Sequence, residues 1–193
     1  MNTIVDKNLE SISYAGKVDI KVLYKDKVIK EKIQKNHGYL SLFKFLCYCL
    51  QGNYTIADRL IPNKIKFFGE NSYLKQWKED HENYKGLLDG DVSLILENGA
   101  LHSNFIYTSK YPTMDLNENS VKTILHFSLN SRYLSSDGIC IVALYGANTT
   151  NELEPAAVVI LTNDDQTELE PIKFDEDQAN NIVVDWTLQF NSR

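Results

Sequence analysis

The sequence predicts a mainly β protein, an antiparallel β-sandwich of the jelly-roll kind that carries one inserted apolar α-helix. The C-terminal stretch from Ile182 to Phe190 alternates apolar and polar residues, which is the period of a half-buried strand. Other short apolar runs follow one another at regular spacing and are separated by turn residues, as in sandwich proteins. A single segment, from Tyr39 to Gln51, has the length and pattern of a helix.

The length of 193 residues suits one domain. Residues 1–15 are expected to form an N-terminal arm, in which Ile4 and Leu9 are available to dock on a neighbour. Residues 16–193 are expected to form a single sandwich domain. The polar stretch 70–110 is interpreted as an irregular or hairpin insertion into that domain.

The first elements of the domain are a hairpin and the helix. Lys25 to Lys27 separate two apolar and polar runs, Val18–Tyr24 and Val28–Lys35, so the sequence predicts paired surface strands. Asn36 is expected to cap the helix, which stops at Gly52. The polar stripe of this helix is narrow, and a helix that is apolar over most of its circumference must be buried on more than one side.

The remaining strands are predicted from apolar runs and turn signals. Asn98-Gly99 lies between two such runs, and this dipeptide favours a two-residue hairpin turn. The run from Ile139 to Tyr145 is apolar on both faces, so this strand is expected to be central or covered. The other predicted strands are 64–68, 92–96, 101–107, 121–129, 156–161 and 182–190.

Composition argues against several classes of protein. The formal net charge of −6 and a total of three arginines disfavour nucleic-acid binding, which needs clustered cations. No secretory signal is visible, and the longest apolar run is far shorter than the ~20 residues of a membrane-spanning helix. Cys47, Cys49 and Cys140 lie in apolar surroundings and are expected to be buried free thiols.

A search for catalytic chemistry gives no constellation, and we expect neither an enzyme nor a bound cofactor or metal. The phosphate-binding glycine motifs and the nucleophile elbow are absent. Cys47 and Cys49 are two residues apart on the predicted helix, so their side chains diverge and cannot share a zinc ion. His126 has no acid at triad-like register, and the acidic residues between Asp164 and Asp177 lack calcium-loop spacing. The separation of carboxylates is a three-dimensional property, which leaves glycoside hydrolysis open.

Aromatic residues of the middle region suggest an alternative function in carbohydrate or host-receptor binding. Trp77, Tyr84 and Tyr107 could form a platform on which sugar rings stack. The competing interpretation is that these rings anchor an irregular loop.

The C-terminal half carries a series of short motifs. They are Thr123-Ile124-Leu125-His126-Phe127, the strand Ile139 to Ala147, Ala156-Ala157-Val158-Val159, Pro171-Ile172-Lys173, and Val184-Asp185-Trp186-Thr187-Leu188-Gln189-Phe190. In this order they resemble structural proteins of tailed-bacteriophage particles, a group found in tails, baseplates, fibres and neck rings. The lysine-rich hairpin followed by Asn36-His37-Gly38-Tyr39-Leu40 is similar to the same group.

The resemblance implies a non-enzymatic virion protein, made in the host cytoplasm, that assembles symmetrically with itself and with other virion proteins. Its layer would be a tail, neck ring, baseplate or fibre attachment. The helix and the arm are the expected contacts, through Leu40, Phe43, Leu46, Leu50, Ile4 and Leu9. No nucleic-acid or membrane partner is expected.

Overall fold

The computed structural model describes residues 12–38, 40–53, 55, 60–85, 87, 96, 100–101, 104–109, 113–117, 120–134, 138–147, 153–175, 179 and 181–192. These residues include ten strands and two helices. In chain order they are β1 (Ile12–Tyr24), β2 (Lys27–Lys35), β3 (His37–Gly38), α1 (Leu40–Leu50), β4 (Lys64–Phe68), α2 (Ser72–Asp80), β5 (Ile106–Tyr107), β6 (Thr113–Asn117), β7 (Ser120–Asn130), β8 (Ile141–Ala147), β9 (Leu153–Ile160) and β10 (Asn181–Ser192).

The strands form two antiparallel sheets of five strands each. The first sheet has the order β2-β1-β10-β7-β6, and the second has the order β3-β9-β8-β4-β5. The predicted mainly antiparallel β architecture is therefore confirmed. The C-terminal strand β10 lies at the centre of the first sheet, between β1 and β7, so the predicted strand from Ile182 to Phe190 pairs along both of its edges.

One buried cluster draws side chains from both sheets. Val184 and Trp186 of β10 point into it, as do Phe127 of β7 and Phe67 of β4. Ile182, Val184, Trp186 and Leu188 of β10 are buried and Phe190 is partly buried, as the alternating pattern predicts. Burial of a large ring such as Trp186 supplies much of the hydrophobic stabilisation of a core of this kind.

The second sheet is buried on both faces. Val142 and Leu144 of β8 join the shared cluster, whereas Ile141 and Ala143 face a second cluster on the opposite side. Helix α2 covers that side through Leu74, and it is capped by Asn71, whose Oδ1 accepts a hydrogen bond from the Leu74 N–H at 2.9 Å. This double cover explains why the sequence from Ile139 to Tyr145 is apolar at every position.

The chain passes from the first sheet to the second at Asn36, and here one prediction is wrong. Asn36 does not cap α1, which begins at Leu40. Its backbone N–H donates to the Gly16 carbonyl at 3.1 Å, and its Oδ1 accepts from the Tyr14 hydroxyl. A Cβ at position 16 would lie 2.1 Å from that Oδ1, so this close approach requires glycine.

The first hairpin agrees with the prediction from the sequence, and the middle region differs from it. Lys25 and Asp26 have φ of 48° and 62°, the left-handed values of a two-residue hairpin turn, so β1 and β2 pair as predicted. The stretch 70–110, in contrast, contains the nine-residue helix α2 where the sequence indicates little regular structure. The Asn98-Gly99 turn lies outside the described residues, and Ile106–Tyr107 pairs with β4.

Candidate functional site

An apolar row crosses the first sheet from one side to the other. Tyr14 of β1 pairs with Phe190 of β10, Phe190 pairs with Val121 of β7, and Val121 pairs with Leu116 of β6. Direct cross-strand partners point to the same face, and three interstrand spacings make the row about 14 Å long. Tyr14 and Phe190 pack against the shared core cluster, so the row lies on the inner face of the sheet.

Helix α1 extends this row on the Tyr14 side. The Phe43 ring meets the Tyr14 ring edge to face, with centroids 6.3 Å apart, and Tyr14 contacts Phe190 at 5.6 Å. We use the name apolar row for these five residues, Phe43, Tyr14, Phe190, Val121 and Leu116. Each of the two ends is open to solvent, because Leu116 is 68 % exposed and Phe43 is 41 % exposed.

The residues of α1 predicted as assembly contacts differ in exposure. The helix packs against β9, with Leu42 buried and Phe45 partly buried against the core. Phe43 is exposed and Leu46 is half-buried. The side chains of Leu40 and Leu50, and the whole of Ile4 and Leu9, lie outside the described residues. Among the described residues the expected burial on more than one side is not seen, since Phe43, Lys44 and Cys47 are exposed.

The residues of the predicted glycan platform do not share one location. Trp77 stacks on His81 with ring centroids 4.0 Å apart, and its indole N–H donates to the Asn83 carbonyl. Tyr84 is buried in the same cluster on the outside of the second sheet. Tyr107 lies on β5, an edge strand of that sheet, and the Lys64 ammonium lies over its ring. Trp77 and Tyr84 thus belong to one structural cluster, and Tyr107 stands apart from it.

A charged cluster on the outer face of the first sheet was missed by sequence reasoning. Asp19 and Asp185 are direct cross-strand partners, and Lys21 lies 2.6 Å from the first carboxylate and 3.9 Å from the second. The hydrogen bond to Asp19 raises the pKa of Lys21. Two carboxylates that face each other across a strand pair repel, so the positive charge of Lys21 stabilises the pairing of β1 with β10.

His126 belongs to the same cluster and corrects a prediction. Its Nδ1 lies 2.6 Å from Asp185 Oδ1, so an acid does accompany this histidine. A Ser-His-Asp type triad would also need a side-chain hydroxyl at the other ring nitrogen of His126. Ser109 comes near, but its hydroxyl donates to the backbone carbonyl of His126 at 3.1 Å. In the described part of the chain the pair therefore joins β7 to β10 without an activated hydroxyl.

The three cysteines differ in exposure. Only Cys140 is buried as predicted; Cys47 is exposed and Cys49 is half-buried, because α1 leaves part of its circumference uncovered.

No group of three or more His, Cys, Asp or Glu side chains suited to a metal ion occurs among the described residues. None of the helices that the structure describes is long and apolar enough to cross a membrane.

Comparison with known proteins adds no assignment. No family model, no curated protein and no solved structure matches this chain.

Proposed function

We propose that this protein is a structural component of a tailed-phage particle and that copies of it associate through the apolar row. The observation that carries the proposal is the row itself, which is contiguous across four strands and continues onto α1. Monomeric proteins rarely expose large contiguous apolar patches, and the row exposes Phe43 at one end and Val121 with Leu116 at the other. A partner that covers it would gain the free energy of burying Leu116, Val121 and Phe43.

The proposed partner is a second copy of the same chain. Repeated contacts between identical copies close into a ring when the rotation between neighbours is regular, which suits a neck, tail or baseplate layer. We further propose that the two sheets form a β-sandwich of the jelly-roll kind. The buried cluster that both sheets share supports this architecture. The motifs between Thr123 and Phe190 support the phage context, because they resemble particle proteins.

Association through the row is tested by mass photometry and sedimentation velocity of the purified full chain. The wild type is expected to form a discrete oligomer, and the double variant Phe43→Ser, Leu116→Ser is expected to be monomeric. Both residues are exposed, so the double variant should fold. Tyr133→Ser is the matched control, because Tyr133 is 55 % exposed but lies outside the row. A monomeric wild type, or equal effects of the two variants, would refute association through the row.

The phage context needs a separate measurement. Quantitative mass spectrometry of purified particles from the source culture would count this chain against the portal protein. A fixed ratio that matches the symmetry of the particle is the expected result and would identify the layer. Absence of the chain from particles would refute the virion role even if the protein forms oligomers.

A further inference from the structure

A polar cleft of about 1110 Å³ lies on the surface where the two sheets meet, and no residue of the apolar row lines it. One wall is the outer face of the first sheet, with Lys17, Lys35 and Lys122. The other wall is formed by segments 84–85 and 162–166. Its volume is slightly above the ~300–1,000 Å³ typical of small-molecule sites, so it can hold a ligand of several rings.

The second wall is held in a fixed shape by its own hydrogen bonds. The Tyr84 N–H donates to the Gln166 carbonyl at 2.7 Å, which ties the two segments together. Asn163 Oδ1 accepts from the backbone N–H of Thr167 at 2.8 Å. Gln166 has a φ of 59°, a left-handed conformation that non-glycine residues adopt only where the surroundings impose it. A preformed wall of this kind lowers the entropy lost when a ligand binds.

The charge of the cleft is opposite to that of the protein. Lys85 brings the lysines that line it to four, and Asp164 is the one carboxylate in the lining, whereas the chain carries a formal net charge of −6. Lys17 and Lys35 are direct cross-strand partners, and like charges in that position repel. Neither lysine forms an ion pair with another described residue. An anion between them would remove this repulsion.

A buried polar group lines the cleft beside these lysines. Asn36 is 91 % buried, its Oδ1 is taken by the Tyr14 hydroxyl, and its Nδ2 has no hydrogen-bond partner among the described residues. Burial raises the pKa of the Tyr14 hydroxyl, which therefore keeps its hydrogen and donates it to Asn36 Oδ1. The pair of Tyr14 and Asn36 fixes the end of β2 next to Lys35, and Asn36 Nδ2 has no accessible surface to offer a ligand.

The remaining side chains indicate the class of ligand. Gln34, Gln189 and Thr187 line the cleft, and amides and hydroxyls of this kind hydrogen-bond to the hydroxyls of sugars. Nucleic-acid bases would need exposed aromatic rings for stacking. The one aromatic lining residue, Tyr84, is 6 % exposed, and no arginine lines the cleft. Lysines with amides therefore fit a carboxylated sugar better than a polynucleotide.

We propose that the cleft binds an acidic oligosaccharide, with Lys17 and Lys35 holding a carboxylate. This inference does not rest on the proposed assembly, since none of the five residues of the apolar row lines the cleft. It also places saccharide recognition at a cleft that Tyr84 lines and that Trp77 and Tyr107 do not line.

Titration calorimetry of the full chain with trigalacturonic acid, and with neutral galactotriose as the comparison, tests the proposal. The acidic sugar is expected to bind and the neutral sugar is not. The double variant Lys17→Gln, Lys35→Gln should weaken binding by at least about tenfold. The control Lys27→Gln, Lys44→Gln changes the net charge equally at exposed lysines outside the cleft and should leave the affinity unchanged.

Three results would overturn the proposal. They are no binding of the acidic sugar, equal binding of the neutral sugar, and equal losses in the two double variants, which would mean attraction by overall charge. Binding of a single-stranded oligonucleotide that depends on Lys17 and Lys35, without sugar binding, would assign the cleft to nucleic acid instead. The oligomeric state of each variant is measured in parallel, so failure here is distinguishable from failure of the assembly proposal.

Discussion

Two rows of side chains on the inner face of the first sheet share the same strands and have different environments. Val18, Trp186 and Leu125 are cross-strand partners, and all three are buried. Four residues along each strand, Tyr14, Phe190 and Val121 form the equivalent row, which ends in exposed residues. The second sheet covers the row of Val18, Trp186 and Leu125 but leaves the ends of the apolar row open to solvent. The alternation of apolar and polar residues therefore predicts which face of a strand is apolar, but it does not predict how much of that face is covered.

The largest expected difference between the rows is in stability. Trp186→Ala removes a fully buried ring from the shared core and should lower the free energy of unfolding by about 3–5 kcal/mol. Leu116→Ala acts at a side chain that is 68 % exposed in the single chain, and at protein concentrations where the chain is monomeric it should change the free energy of unfolding by less than about 0.5 kcal/mol. Urea denaturation of both variants measures the contrast. Similar losses in the two would mean that the Leu116 end is covered in the folded protein.

A second prediction concerns the hydroxyl of Tyr14, which is buried although its ring belongs to the apolar row. Burial raises the pKa of the Tyr14 hydroxyl, and that of Tyr145 in the second sheet. Above about pH 10 an unfolded tyrosine loses its proton while the folded one keeps it, so the folded state binds more protons. Stability should therefore be fully present below that pH and fall by about 1.4 kcal/mol per pH unit for each buried tyrosine.

The variant Tyr14→Phe isolates the contribution of Tyr14 to this alkaline loss. The slope of unfolding free energy against pH above about 10 should become shallower, whatever stability the variant loses at neutral pH. Tyr133→Phe is the control, because Tyr133 is exposed and should leave the slope unchanged. An unchanged slope in Tyr14→Phe would show that the Tyr14 hydroxyl belongs to the open end of the sheet.

The same contrast explains what could be predicted from the sequence. Strand positions and inward faces follow from local alternation, which is why β10 and the doubly covered β8 were anticipated. The pairing of strands is a long-range property that no local pattern contains. His126 and Asp185, for example, are 59 residues apart, and the pattern of each strand shows only that its own residue faces outward. The apolar row and the cleft arise from such pairings, so no local pattern could indicate them.

A third prediction uses a thiol to report on the apolar row. Cys47 is exposed and lies one helical turn after Phe43, hence on the same side of α1. If copies associate through the row, alkylation of Cys47 should slow several-fold as protein concentration rises, because the partner covers this side. Cys140 is the internal control, since burial raises its pKa to about 11 and should protect it at every concentration. A Cys47 rate independent of concentration would contradict a partner at this side of α1.

The smallest expected effect lies on the outer face of the same sheet, at the cleft. Lys17 faces Lys35 across β1 and β2, so Lys17→Gln removes a repulsion and should raise the free energy of unfolding by about 0.2–0.5 kcal/mol. The comparison is Lys21→Gln, which removes the cation between Asp19 and Asp185 and should lower it. If Lys17→Gln raises the free energy of unfolding and Lys21→Gln lowers it, then Lys17 at the cleft destabilises the folded protein, whereas Lys21 on the same strand stabilises it. Such a sign is expected of a binding site, where a ligand supplies the missing counter-charge. A loss of stability in both variants would mean that Lys17 is already neutralised within the protein, and the cleft would then have no unpaired charge to offer an acidic ligand.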